Sequence, residues 1–261
     1  MTLSYFLAIF IGISLGLIGG GGSILTVPVL VYIVDIKPTE AMRYSLFVVG
    51  ITAWLGTLQK GWIGQVNARV ALLFFFPSMV TVYATRTYLL PLLPEVWLHT
   101  PYFILRNDKG LMLFFAALML ASARSMINSP THDKPIVARL DVGKVALRGV
   151  LVGILTGLVG AGGGFLIVPS FVLLVGLEMK MAIGTSLLVI ATNSTIGFVS
   201  DFQKAQTINW SFLLLFSGLA LFGVVVGNNL AQYLSNAKLK TVFGWFVLAM
   251  GVFIVIKEVL F

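Results

Sequence analysis

The sequence predicts an all-α protein that spans a membrane several times and is built from two homologous repeats. The 261-residue chain is 59% hydrophobic and only 10% charged, a balance that a soluble domain of this length does not show. Apolar stretches of about 18 residues or more recur along it, which is the length that crosses the hydrocarbon core of a bilayer. Residues 12–56 and 153–197 align without a gap at a constant offset of 141 residues, which indicates a duplication.

The apolar stretches predict the membrane-crossing helices in chain order. The first and fifth are the longest, and the third and fourth are short, so the limits of these two are the least defined. All nine Asp and Glu residues lie near predicted ends or in loops, as expected because a charge inside hydrocarbon is costly. The eight stretches are Leu3–Val34, Tyr44–Leu58, Val70–Thr85, Gly110–Ala123, Val150–Leu177, Met181–Ser200, Ser211–Leu234 and Leu239–Ile256.

The first stretch, Leu3–Val34, is too long for one straight crossing. At about 1.5 Å per residue it would form a helix of about 50 Å, whereas the hydrocarbon core is about 30 Å thick. We therefore predict a break at Gly19–Gly22 and a matching break at Gly160–Gly164. Either each broken segment bends and continues across the membrane, or it returns to the same side as a hairpin of two helical arms. Single crossings would give parallel repeats, and hairpins would give inverted repeats.

The placement of Lys and Arg favours the inverted arrangement. With hairpins, ten of the 17 Lys and Arg residues lie on the side of the central linker and seven on the other side, whereas single crossings give nine against eight. Cytoplasmic loops carry an excess of these residues. We therefore expect repeats at 1–124 and 143–261, joined by a cytoplasmic linker at 125–142. Basic residues that flank apolar stretches indicate contact with a lipid bilayer, and no nucleic-acid partner is expected.

The two glycine breaks predict an anion site inside the membrane. A helix that begins there presents backbone N–H groups with partial positive charge, and hydrocarbon cannot satisfy them. Glycine lets a ligand approach the backbone closely, so two helix N-termini that face one cavity would bind an anion. The candidate residues are Gly20, Gly21, Gly22, Ser23 and Thr26 at the first break, and Gly162, Gly163, Gly164 and Phe165 at the second.

Further candidates lie on the helices that follow the breaks. Thr185, Ser186 and Asn193 recur at helical spacing, and Ser45 aligns with Ser186 across the repeat. Their polar groups either line the cavity or bond back to carbonyls of their own helix.

Two arginines are candidates of another kind. Arg43 begins the second apolar stretch, and Arg86 ends the third. Each either snorkels to the interface as an anchor or lines the route of the anion. We include Arg43 among the candidate substrate-binding residues.

Several classes of function are not expected. The chain has no cysteine and only two histidines, far apart at His99 and His132, so the sequence predicts neither a metal site nor a cofactor. Paired acid and base groups are absent from the apolar stretches, which argues against an enzyme. A dinucleotide fingerprint is rejected because the glycine runs have no βαβ context.

The repeated glycine break, with its following apolar run and proline, resembles the TauE/SafE family of membrane permeases. The first repeat differs from the usual pattern at Met42-Arg43-Tyr44, where the second has Ile183-Gly184-Thr185. The resemblance implies a multi-pass carrier in the bacterial inner (cytoplasmic) membrane, with sulfite and organosulfonates as substrates. The segments that carry it are Gly157-Leu158-Val159-Gly160-Ala161-Gly162-Gly163-Gly164-Phe165-Leu166-Ile167-Val168-Pro169 and Ala182-Ile183-Gly184-Thr185-Ser186-Leu187.

Together these observations predict a transporter of small anions, a permease or exporter, with its site between the two glycine breaks. Its expected partners are the anion and the lipid bilayer. A coupling ion, H⁺ or Na⁺, and a second copy of the chain in a homodimer are further partners that a carrier could have. The alternative is a non-transporting membrane subunit or assembly factor, which would need no polar cavity between the repeats.

Overall fold

A computed structural model describes residues 2–94, 96–100, 103–128, 142–159, 163–202 and 208–260. Within these ranges, seven helices are long and apolar enough to cross a membrane, and three shorter apolar helices accompany them. Large apolar side chains on their outer faces, such as those of Phe6, Leu147 and Phe222, are more than half exposed. A surface of this kind is expected where helices meet lipid rather than water.

In the first half of the chain, the described residues form six helices and a short hairpin. The hairpin of β1 and β2 is antiparallel, pairs Thr100 with Phe103, and is a local departure from the predicted all-α chain. The bounds are α1 Thr2–Ile18, α2 Gly21–Tyr32, α3 Pro38–Trp62, α4 Ala68–Ala84 with a π-helical turn at Thr85–Leu89, α5 Leu90–Leu92, β1 Val96–Thr100, β2 Phe103–Arg106 and α6 Asn107–Asn128.

The described part of the second half contains five helices. The predicted linker falls partly within α6, which continues to Asn128, and residues 129–141 lie outside the described ranges. The bounds are α7 Val142–Val159, α8 Gly164–Pro169 with a π-helical turn at Ser170–Val175, α9 Met179–Phe202, α10 Trp210–Gln232 and α11 Asn236–Leu260.

The long first stretch is broken at its glycines. After α1 ends at Ile18, Gly19 adopts a φ of +71°, in the left-handed region that favours glycine. A β carbon on Gly22 would lie 2.5 Å from the carbonyl oxygen of Ile11 and 2.3 Å from the β carbon of Leu15. The start of α2 therefore lies against the side of α1. The fifth stretch, Val150–Leu177, is also interrupted, because Gly163 has a φ of +71° just before α8 begins.

Helices from the two halves pack against each other in pairs. The most extensive contacts join α1 to α10, α4 to α7, α3 to α9 and α6 to α11. A β carbon on Gly12 would lie 2.0 Å from the carbonyl oxygen of Ala220, and one on Gly153 would lie 2.0 Å from Thr81 Oγ1. These glycines allow α1 and α7 to approach their partners closely.

The centre of the bundle is formed by α3 and α9. In each of these two helices, 67% of the residues in the most apolar 18-residue segment are buried, a larger share than in the other candidate spans. Gly56, late in α3, lies against Leu187, early in α9. Conversely, Leu46, early in α3, lies against Gly197, late in α9. The two helices therefore run antiparallel.

Candidate functional site

The two glycine breaks meet in the interior. A β carbon on Gly20 would lie 2.1 Å from the carbonyl carbon of Gly164, and one on Gly164 would lie 2.2 Å from the α carbon of Gly20. No residue but glycine allows this approach without displacing the backbone. Consequently α2 and α8, which each begin within a residue of this contact, have adjacent N-termini.

At the first break, the candidate hydroxyls are used within their own helix. Gly21 begins α2, Ser23 Oγ donates to the carbonyl of Gly20 at 2.6 Å, and Thr26 Oγ1 donates to the carbonyl of Gly22 at 3.1 Å. Both side chains are fully buried. Their oxygens can still accept a hydrogen bond, but their protons are already engaged.

At the second break, the described residues include one polar group that sequence reasoning missed. Thr156, on α7, is 1% exposed, and its Oγ1 lies 2.0 Å from the position that a β carbon on Gly163 would take. This hydroxyl has no hydrogen-bond partner among the described residues. Phe165 is fully buried, and its ring packs edge-on against Phe115. Gly162 lies outside the described ranges.

Of the three candidates on α9, Thr185 and Asn193 bond to other elements and Ser186 bonds within its own helix. Thr185 Oγ1 accepts a hydrogen bond from the N–H of Asn67 at 2.9 Å, and Asn67 in turn caps α4 through its side chain. Ser186 Oγ donates to the carbonyl of Ile183 at 2.8 Å. Across the contact of α9 with α4, Asn193 Nδ2 donates to Ser78 Oγ at 3.1 Å. The single proton of the Ser78 hydroxyl lies within hydrogen-bond distance of two acceptors, Asn193 Oδ1 at 3.2 Å and the carbonyl oxygen of Phe75 at 3.0 Å.

Ser45 differs from these residues. It is fully buried in α3, and its hydroxyl has no hydrogen-bond partner among the described residues. Ser194 on α9 is also fully buried, and its hydroxyl likewise has no hydrogen-bond partner among the described residues. A buried hydroxyl without a partner is costly, so each of these groups marks a position where a ligand would recover the lost hydrogen bond.

Arg43 lines a separate cavity of about 170 Å³ together with Arg86 and Asp201. Arg86 is only 1% exposed and forms an ion pair with Asp201, so it does not snorkel to the interface. Sequence reasoning did not find this pair, because the two residues are 115 positions apart in the chain.

Among the described residues, no group of three or more His, Asp or Glu side chains could hold a metal ion.

A larger cavity of about 420 Å³ lies elsewhere. It is lined mainly by apolar and aromatic side chains, including Tyr5, Tyr44 and Phe212, with Asn209 and Ser211 at the start of α10. Tyr44 Oη accepts a hydrogen bond from the N–H of Asn209 at 2.9 Å. The cavity contains none of the predicted site residues, so it lies apart from the glycine breaks.

Comparison with known proteins identifies the family. The profile described as "Sulfite exporter TauE/SafE" matches residues 4–254. A probable membrane transporter protein of Xylella fastidiosa (strain Temecula1 / ATCC 700964) is 29% identical over 252 residues, which cover 94% of this chain and 91% of the relative. The probable membrane transporter protein YunE of Bacillus subtilis (strain 168) is 28% identical over 257 residues, covering 92% of this chain and 91% of the relative.

No solved structure matches the chain. The names of the relatives describe membrane transport and point away from enzyme activity. The family match spans nearly the whole chain and includes both glycine breaks and all of the candidate spans except the last five residues of the final one. The chain is therefore a multi-pass membrane protein that belongs to the TauE/SafE sulfite exporter family.

Proposed function

We propose that this membrane transporter carries small anions, either sulfite or organosulfonates, through a site between the two glycine breaks. The observation that carries the proposal is the contact of Gly20 with Gly164, which brings the N-termini of α2 and α8 together. Aligned peptide dipoles favour negative charge at both ends. The hydroxyl of Thr156, beside Gly163, has no partner among the described residues and adds a donor at the same place.

The proposal includes inverted repeats. At the offset of 141 residues, Leu46 corresponds to Leu187 and Gly56 to Gly197. Swapping the two repeats therefore turns the contact of Gly56 with Leu187 into the contact of Gly197 with Leu46. In the same way, α1 corresponds to α7 and α4 to α10, so swapping the repeats turns the pair of α1 with α10 into the pair of α7 with α4. Antiparallel equivalent helices support a pseudo-two-fold axis in the membrane plane, an arrangement that suits alternating access around a central site.

We further propose that the chain lies in the bacterial inner membrane with the linker in the cytoplasm. The excess of Lys and Arg on the side of the linker supports this orientation. A gradient of H⁺ or Na⁺ would drive net movement of the anion if transport is coupled.

Uptake by proteoliposomes tests the proposed substrate class. Purified protein is reconstituted, and entry of radiolabelled sulfite, taurine and methanesulfonate is followed with and without H⁺ and Na⁺ gradients. We expect at least one of these anions to enter above the level of protein-free liposomes and to compete with the others. Folded protein that moves none of them would contradict the proposal and would favour a non-transporting subunit.

A further inference from the structure

The cavity around Arg43 lies at a different depth from the glycine breaks. Gly164 packs near Ile190 on α9, whereas the cavity is lined by Asp201, eleven residues later on the same helix. At about 1.5 Å per residue, the two places are about 16 Å apart along α9. The cavity is therefore a second polar site rather than an extension of the first.

Among the described residues that line this cavity, positive charges outnumber negative ones. Arg43 and Arg86 supply two guanidinium groups, and Asp201 supplies one carboxylate. Arg86 Nη1 donates to Asp201 Oδ2. The buried Nε of Arg43 has no hydrogen-bond partner among the described residues. The described lining residues therefore leave one net positive charge and an unused donor in a space of about 170 Å³, which a small oxyanion fits.

The local backbone holds Arg86 in this cavity. Arg86 lies in the π-helical turn Thr85–Leu89 that follows α4, and such turns occur frequently at functional sites. The turn is followed by Leu90 and Pro91, which also line the cavity. A guanidinium group offers paired N–H donors in a plane, and this geometry matches two oxygens of a sulfonate or sulfite.

We propose that this cavity is an access subsite for the transported anion, in which Arg43 and Arg86 bind the oxyanion and Asp201 is the counter-ion that it displaces. The proposal rests on the proposed function, because it assigns the same anion a second position. Leu111, near the start of α6, lines the cavity, and the linker follows the far end of α6 at Asn128, about 25 Å along the helix. The subsite therefore serves the side of the membrane opposite the linker.

Cysteine labelling tests the subsite without requiring transport. The natural chain has no cysteine, so Thr39→Cys, in the wall of the cavity, introduces a single thiol. Its rate of reaction with a maleimide carrying polyethylene glycol is measured in detergent with increasing methanesulfonate. Ser211→Cys is the matched control, because Ser211 is also exposed but lines the larger, separate cavity.

We expect methanesulfonate to slow the labelling of Thr39→Cys and to leave that of Ser211→Cys unchanged. Adding Arg43→Gln to Thr39→Cys should weaken the protection by roughly tenfold in concentration, as the loss of one charge-assisted hydrogen bond predicts. Adding Asp201→Asn should strengthen it, because a competing carboxylate is removed while the shape is kept. Equal effects on both thiols, no protection, or protection that survives Arg43→Gln would overturn the proposal.

The two proposals can fail separately. Thr156→Val alters the glycine-break site and leaves the cavity intact, so protection of Thr39→Cys should persist in the double variant even if transport is lost. Protection without uptake of any anion would support the subsite and contradict the proposed function. Uptake of an anion without protection of Thr39→Cys would support the proposed function and contradict the subsite.

Discussion

Buried serine and threonine side chains fall into two groups, according to where their hydroxyl protons go. Ser23, Thr26 and Ser186 donate to nearby backbone carbonyls, which is the common behaviour of such residues in membrane helices. Ser45 and Thr156 have no partner among the described residues. Sequence alone could place all of these hydroxyls in the membrane. It could not separate the two groups, because the separation depends on neighbours from other helices.

An amide such as that of Asn193 is more costly to bury than a hydroxyl group, and the structure gives Asn193 a partner on α4 in Ser78. Asn193→Ala should lower the free energy of unfolding by about 1–3 kcal/mol, because the buried hydrogen bond from Asn193 Nδ2 is lost and the Ser78 hydroxyl loses its cross-helix partner. Thermal unfolding in detergent measures the change.

The double variant Ser78→Ala/Asn193→Ala provides the control. It should lose less stability than the sum of the two single variants, because both partners act through one shared interaction. Strictly additive losses would contradict the assigned hydrogen bonds.

At the scale of elements, the glycine breaks were predictable and the arginine cavity was not. Contiguous glycines inside an apolar stretch predicted where α1 and α2 would separate, and the break lies at Gly19–Gly20. The glycines spaced four apart, such as Gly12 and Gly16, pack against α10. By contrast, Arg86 and Asp201 each lie near the end of an apolar stretch, where a charge is ordinary, and only the fold brings them together.

Gly164→Ala tests the contact of the two breaks. The added β carbon would lie 2.2 Å from the α carbon of Gly20, and backbone cannot move aside cheaply, so we expect a loss of about 3 kcal/mol or more in the free energy of unfolding. Gly218→Ala is the matched control, since a β carbon there meets nothing within 4 Å.

The control should be neutral or more stable by about 0.5–1 kcal/mol, because alanine favours the helix. Thermal unfolding of both variants in detergent checks the difference. If Gly164→Ala were as stable as Gly218→Ala, the close approach of α2 and α8 would be wrong.

At the scale of the whole molecule, the pairing of helices between the halves is what makes the chain one bundle. Each of α1, α3, α4 and α6 has its most extensive contact with a helix of the second half. The sequence predicted two repeats from their alignment, but the Lys and Arg count could favour their inversion only by ten residues against seven. The antiparallel crossing of α3 with α9 is a stronger observation, since it depends on contacts rather than on a small charge bias.

Labelling of intact spheroplasts tests the orientation. Ser211→Cys, at the start of α10, and Gly61→Cys, at the end of α3, are exposed positions at opposite ends of the bundle. A maleimide too large to cross the membrane should label Ser211→Cys from outside and Gly61→Cys only after lysis. The reverse pattern would place the linker outside and contradict the predicted cytoplasmic location.

Saturation of sulfite uptake in proteoliposomes, compared between the unaltered protein and Thr156→Val, addresses the site between the breaks. Valine keeps the shape of threonine and removes a buried hydroxyl that has no partner among the described residues, so thermal stability should be unchanged or higher. Thr241→Val is the control, because that hydroxyl is exposed on α11 and bonds to its own helix. The proposed site predicts an uptake rate at low sulfite that falls roughly tenfold in Thr156→Val alone. Equal uptake by all three proteins, with stability retained, would contradict it.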